Sequence, residues 1–231
     1  GQPPPANLSS MLRAAGYRTG LSGKNHTYLG PSDFDSFEEQ PKPRDAAAGQ
    51  VFAQSWSRLR PANPRMAARA IDGGPAGDPM RGVTRRALEF IDESGSRPFF
   101  LFASYLYPHT PYHLPQPYFD RWTAREIPPP VVEKTGLQAA GKPFRQLFHQ
   151  RNNDAILPFD KAQTRLMRQT YHGMIELVDT EIGALLRHLD DRRLAENTLV
   201  LFTSDHGDYM GDHGLYTKSP AMYDCLTRVP F

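Results

Sequence analysis

Cysteine is almost absent from this chain. The single Cys225 in 231 residues excludes an intrachain disulfide, so stability must come from packing, with a metal as the other available source. An excess of either charge is missing too. With 27 Lys+Arg against 25 Asp+Glu the net charge is +2, which excludes a general attraction to nucleic acid or an anionic membrane and makes any anion recognition local. No run of about 18 apolar residues occurs, which excludes a membrane-spanning helix in this stretch. An initiating methionine is also lacking: the chain starts at Gly1 and stops at Arg228-Val229-Pro230-Phe231, where an apolar strand is expected to begin, so both ends read as cut from a longer protein. The length suits one domain of more than average size rather than two.

What is present alternates between helix and strand. Asn7 or Ser9 can cap a short helix through Leu8, Met11 and Leu12, and a strand from Tyr17 to Leu21 follows. Gly23-Lys24-Asn25-His26 comes directly after that strand, where an open α/β sheet places its ligand loops. Residues 31–82 and 131–160 hold no sustained period and read as irregular insertions. Between them, Val83, Ala87, Leu88 and Ile91 predict a helix feeding a central strand, Phe99 to Ala103, buried on both faces. A long helix from about Gln163 to Leu189 carries Met167, Tyr171, Met174, Ile175, Val178, Ile182, Leu185, Leu186 and Leu189 as one apolar stripe. Leu199 to Thr203 predicts a second strand buried on both faces. The alternation implies an α/β domain with a mostly parallel sheet, without repeats or low-complexity tracts.

Three loops carry groups suited to an anionic ester and a metal: Lys24/His26, His109 and Asp205/His206. If their strands are parallel neighbours, the loops leave one edge of the sheet and converge. Asp205-His206 offers an oxygen and an imidazole nitrogen for a divalent cation, although Asp-His-Gly is equally a turn sequence. Lys24 can pair with a sulfuryl or phosphoryl oxygen and His26 can move a proton, or both are ordinary loop residues. His109, stiffened by Pro108 and Pro111, can protonate a leaving oxygen or join a packing cluster with Tyr107, Tyr112 and His113. Lys218 can supply a second positive clamp, or lie on the surface. Cys225 reads as a small packed apolar residue.

The ordered series Gly23-Lys24-Asn25-His26, Pro108-His109-Thr110-Pro111-Tyr112, Thr203-Ser204-Asp205-His206-Gly207, Gly211-Asp212-His213-Gly214-Leu215-Tyr216-Thr217-Lys218 and Arg228-Val229-Pro230 resembles the sulfatase family. The segment from Leu12 to Leu29 is similar to the family's stretch around Gly-Lys-x-His, and matched blocks cover about half the chain. The resemblance implies an alkaline-phosphatase-like α/β sandwich, with the chain as a partial catalytic domain spanning 1–231 and incomplete at both ends. It implies hydrolysis of a sulfate monoester on a glycan or small molecule, with a divalent ion, usually calcium. By the same resemblance Asp205 and His206 are metal ligands, with His206 standing where many relatives have Asn. Lys24 and Lys218 grip sulfate oxygens, His26 contacts the nucleophile, and His109 meets the leaving-group oxygen.

Two departures stand out. The family's nucleophile, a formylglycine made from the cysteine of Cys-x-Pro/Ala-x-Arg or a serine in its place, is not in this stretch; Cys225 is followed by Leu226-Thr227-Arg228-Val229. It is expected upstream of Gly1, and the isolated 231 residues are expected to be inactive. Tyr107 stands where many relatives have Asp before Pro-His, which removes one expected hydrogen bond to that loop. A phosphonate or phosphate ester hydrolase of the same superfamily, and a non-catalytic binder of sulfated glycans, are the alternative readings.

Overall fold

The computed structural model describes residues 6–40, 68–72, 74–131, 160–218 and 222–231. In chain order its main elements are α1 (Leu8–Ala14), β1 (Arg18–Gly23), β2 (Ser36–Glu39), β3 (Arg69–Ile71), α2 (Pro79–Ser94), β4 (Phe99–Ser104), β5 (His113–Pro115), α3 (Tyr118–Thr123), α4 (Lys161–Asp191) and α5 (Asp224–Thr227). They belong to two compact units: Gly1–Gln54, Gly73–Tyr107 and Leu177–Glu196 form one, and Ser55–Asp72, Pro108–Glu176 and Asn197–Phe231 the other.

The first unit is a parallel sheet, ordered β2-β1-β4, with helices against it. Asn7 and Ser10 start α1 with reciprocal side-chain to backbone bonds, each satisfying a donor that a helix N-terminus leaves open. Asp78 caps α2 by accepting from the Met80 N–H at 2.8 Å, and Pro79 occupies the first helical position. The face of α2 that Met80, Val83, Ala87, Phe90 and Ile91 form is buried, worth about 1.5–3 kcal/mol for each large side chain. Gly20 makes room for it: a Cβ there would lie 2.6 Å from the Phe90 ring.

The second unit pairs β3 with β5 in parallel and adds α3, the first half of α4, and α5. Asp160 and Gln163 cap α4 reciprocally, at 2.8 and 3.2 Å. Gly173, in the interior of α4, lets β5 approach, since a Cβ there would lie 2.2 Å from Leu114. That close packing offsets the ~1 kcal/mol that glycine costs a helix.

Several expectations need correction. Leu199 to Thr203 forms no strand: Leu199, Val200, Leu201 and Phe202 are 52 to 85 % exposed. An apolar run becomes a strand only where a neighbour supplies a hydrogen-bond ladder, and no described segment pairs with it. Arg228 to Phe231 likewise carries no ladder. The strand expected at Phe99 to Ala103 exists as β4, but at an edge of the described sheet, with Phe102 exposed. Ile175 and Leu186 of the long-helix stripe are exposed, whereas Leu177, outside the stripe, is buried. The stretch 31–82, expected to be irregular, contains β2 and β3; its residues 41–67 and 73, and nearly all of the second insertion (132–159), lie outside the described residues.

Candidate active site

In the second unit the loop Ser204 to Asp208 is shaped by the chain it rests on. The Gly207 N–H donates to the Leu226 carbonyl at 2.8 Å, and a Cβ at 207 would fall 2.0 Å from the Cys225 carbonyl oxygen. No residue with a side chain fits that approach. Cys225 itself packs against the cluster of Tyr209, Leu215 and Leu226, and burial pushes its thiol up to about 11, consistent with a small apolar packing residue.

His206 comes out of this loop with a defined tautomer. Its Nδ1 lies 2.7 Å from the Gly207 carbonyl, which can only accept, so Nδ1 carries the proton and Nε2 the lone pair. That lone pair has Lys218 Nζ at 2.9 Å and Asp205 Oδ2 at 3.8 Å. His109 is arranged in the same way: Nδ1 donates to the Thr110 carbonyl at 2.6 Å, which leaves Nε2 on the other edge of the ring. The His109 and His206 rings meet edge to face, with centroids 6.1 Å apart. Four residues singled out in the sequence, His109, Asp205, His206 and Lys218, therefore form one cluster.

The sequence reading overlooked what sits beneath them. Asp208, partly buried, accepts from the Tyr112 hydroxyl and from the Met210 N–H, each at 3.0 Å, and the Thr217 N–H also favours its charged form. Burial pushes its carboxyl above the usual range, and burial with the facing carboxylate holds the Tyr112 phenol well above its own. An acid two residues past the His206 position was the available signal; its partners are not legible without the fold. His113, expected in a packing cluster, is buried and accepts from Arg69 Nε at 3.2 Å. Desolvation, then the charge of Arg69, pushes its pKa down to about 4, so it stays neutral. A cavity of about 240 Å³ beside Asp208 is lined by Arg168, Tyr171 and Cys225 among others, but by none of His109, His206 and Lys218.

Lys24 and His26 lie in the first unit. β1 and β4 are parallel neighbours in the register Gly23↔Ser104, so the loops after both strands leave one edge. Gly23 has φ +111 and a Cβ there would meet the Ser104 carbonyl oxygen at 2.0 Å; the Lys24 N–H donates to that carbonyl at 2.9 Å. Asn25 then folds the loop, accepting from the Thr27 N–H and donating to the Leu29 carbonyl, with Lys24 half-buried and His26 exposed. The third loop departs from expectation, because Asp205/His206 does not follow a strand. Tyr107, the departure before Pro108-His109, has its own bond: its hydroxyl donates to Asp78 Oδ2 at 3.0 Å, with both residues buried.

The donors test as a partial metal site. The Asp205 Oδ2 oxygen lies 3.8 Å from His206 Nε2, and that nitrogen has the Lys218 ammonium at 2.9 Å. Among the described residues no group of three or more His, Cys, Asp or Glu could hold a metal; a carboxylate oxygen and an imidazole nitrogen are donor types a divalent cation takes, and two of them do not complete its shell.

Comparison with known proteins gives the following. The family described as "Sulfatase" matches residues 1–231. The chain is 33% identical over 146 residues to the multifunctional alkaline phosphatase superfamily protein PehA of Trinickia caryophylli, covering 58% of this chain and 28% of that protein. It is 31% identical over 163 residues to the iduronate 2-sulfatase of Mus musculus, covering 66% of this chain and 29% of that one. Its fold matches the crystal structure of the phosphonate monoester hydrolase of Agrobacterium radiobacter with a TM-score of 0.76 at 20% identity, covering 97% of this chain and 51% of the other. The chain thus spans about half the length of that structure.

Proposed function

This chain belongs to the sulfatase family, and from that premise we propose that the protein it is part of hydrolyses a sulfate monoester by metal-assisted transfer of the sulfuryl group. The observation that carries the reading is the cluster of His109, Asp205, His206 and Lys218, in which two imidazoles with fixed tautomers, a carboxylate and an ammonium meet. Asp205 and His206 would contribute two ligands to a divalent cation. The bound metal would supply a Lewis acid at a sulfuryl oxygen.

Lys218 places positive charge where the anion's oxygens lie, and its three N–H donors allow it to move from His206 to the substrate. Protonated His109, its ring held through Nδ1, donates from Nε2 to the departing alcohol oxygen. Lys24 is assigned to the sulfate oxygens and His26 to the nucleophile; both assignments rest on the Gly-Lys-x-His motif and on the loop after β1. The nucleophile itself, a formylglycine or serine, is assigned to a part of the protein outside these residues. Family resemblance favours calcium, whereas the imidazole in the ligand pair favours a transition ion such as manganese or zinc. Metal analysis of the purified full-length protein separates the two.

A second reading, hydrolysis of a phosphonate or phosphate monoester, is favoured by the PehA relative, whose description is multifunctional. A metal, lysines and histidines serve either tetrahedral anion. The proposed substrate class is a small or glycan sulfate ester. Release of sulfate from 4-nitrophenyl sulfate by the full-length protein, lost on chelation and restored by a divalent metal, supports the first reading. Turnover that survives chelation contradicts the metal assignment.

A further inference from the structure

We propose that Asp208 is the positioning residue that holds His109, His206 and Lys218 in one frame, with Tyr112 as its partner. The inference rests on the sulfatase reading for the roles of those three residues, and on geometry for everything else.

The groups that meet at the Asp208 carboxylate come from three places in the chain. The Tyr112 hydroxyl, at 3.0 Å, belongs to the loop that carries His109 three residues earlier. Tyr112 is fully buried and packs edge to face on Tyr171, with ring centroids 6.3 Å apart, so its hydroxyl has little freedom to find another acceptor. The Thr217 N–H belongs to the residue immediately before Lys218. The carboxylate itself follows His206 by two residues. One acceptor therefore ties together the segments that carry the leaving-group acid, the metal ligand and the anion clamp.

Backbone strain shows that this tie works against local preference. Met210, His213 and Thr217 all have positive φ, at 49, 57 and 59 degrees, although none is glycine. For a β-branched residue such as Thr217 this conformation is a rare outlier that persists only where the surroundings over-determine it. The Thr217 N–H is oriented to favour a charged Asp208, its carbonyl accepts from the Tyr209 N–H at 3.0 Å, and the resulting turn aims Lys218 at His206. A carboxylate suits this place because its two oxygens accept from the Met210 N–H and the Tyr112 hydroxyl at once. An amide has one accepting oxygen for the two, so its N–H₂ faces either the Met210 N–H or a Tyr112 hydroxyl that must reverse from donor to acceptor.

Crystal structures of Tyr112→Phe and Asp208→Asn in the full-length protein test the inference without depending on turnover. The expected result is that the His109 and His206 rings leave their 6.1 Å separation and that Lys218 Nζ leaves its 2.9 Å contact with His206 in Asp208→Asn, with a smaller displacement of His109 in Tyr112→Phe. Retention of both distances in folded variants overturns it. If Asp208→Asn does not fold, Tyr112→Phe, which deletes one hydroxyl, decides. With 4-nitrophenyl sulfate as probe, kcat is expected to fall on the order of 10²-fold for Asp208→Asn with KM within a fewfold, because misplacement by about 1 Å costs that much. A loss confined to KM contradicts positioning. Absence of sulfate turnover by the unmodified full-length protein counts against the sulfatase reading and leaves the crystallographic comparison to judge the frame.

Discussion

Lys218 Nζ stands 2.9 Å from His206 Nε2, so the lone pair proposed for a metal already holds a cation. A metal on that nitrogen must displace the ammonium, which then becomes available to the substrate. Lys218→Met removes both the competing donor and a like charge. We expect its affinity for the divalent metal to rise several-fold by calorimetry, in line with a lost hydrogen bond of about 1 kcal/mol, while sulfate turnover falls. Unchanged or weaker metal binding would show that Lys218 and the metal do not compete.

The buried pair of Tyr107 and Asp78 sets a pH dependence of stability. Burial, the largest cause, pushes the Asp78 carboxyl up to about 6, despite hydrogen bonds from Met80 and Tyr107 that favour the charged form. The folded state thus binds a proton more tightly than the unfolded chain, whose Asp titrates near 3.9. This group's contribution is intact below about pH 4 and is lost as pH rises through about 6, by roughly 3 kcal/mol at most. Denaturant titrations from pH 4 to 7 are expected to show Asp78→Asn gaining on the unmodified protein as pH rises. A pH-independent difference between the two would contradict this.

Gly207 has the Cys225 carbonyl oxygen 2.0 Å from the position of an added Cβ. Gly207→Ala must move backbone rather than a side-chain tip, so we expect a loss of about 3 kcal/mol or less in stability together with a collapse of turnover. A variant that unfolds at the same denaturant concentration and retains full activity would show that the loop shifts without cost.

For His109, the expected signature depends on the leaving group. A proton delivered to the departing oxygen matters most when the alcohol is a poor leaving group. His109→Asn should therefore lose roughly 10²-fold or more on an alkyl sulfate and much less on 4-nitrophenyl sulfate. Equal losses on both substrates would assign His109 to binding rather than proton transfer.

Helices were the most legible part of the fold. The periodicity from Val83 to Ile91 and from Met167 to Leu189 lies within α2 and α4, because a helix satisfies its own backbone and announces itself in local pattern. Strands depend on neighbours. Leu199 to Thr203 is as apolar as β4 and far more apolar than β1, yet it has no described partner and stays exposed. The cluster was readable as a set of motif residues, His109, Asp205, His206 and Lys218 among them. Its support was not: that the acceptor for Tyr112 is Asp208, 96 positions away, or that Tyr107 finds Asp78, follows from tertiary packing that no spacing rule encodes. The departure at Tyr107 looked like a missing hydrogen bond and is instead a different one.

The central claim is that this cluster serves sulfate ester hydrolysis. Its most direct test is kcat/KM of the full-length protein for 4-nitrophenyl sulfate and for 4-nitrophenyl phenylphosphonate, each measured with His206 intact and as His206→Ala. The account predicts a preference for the sulfate ester and its loss in the variant. Preference for the phosphonate would favour the second reading, and sulfate turnover indifferent to His206 would contradict the account.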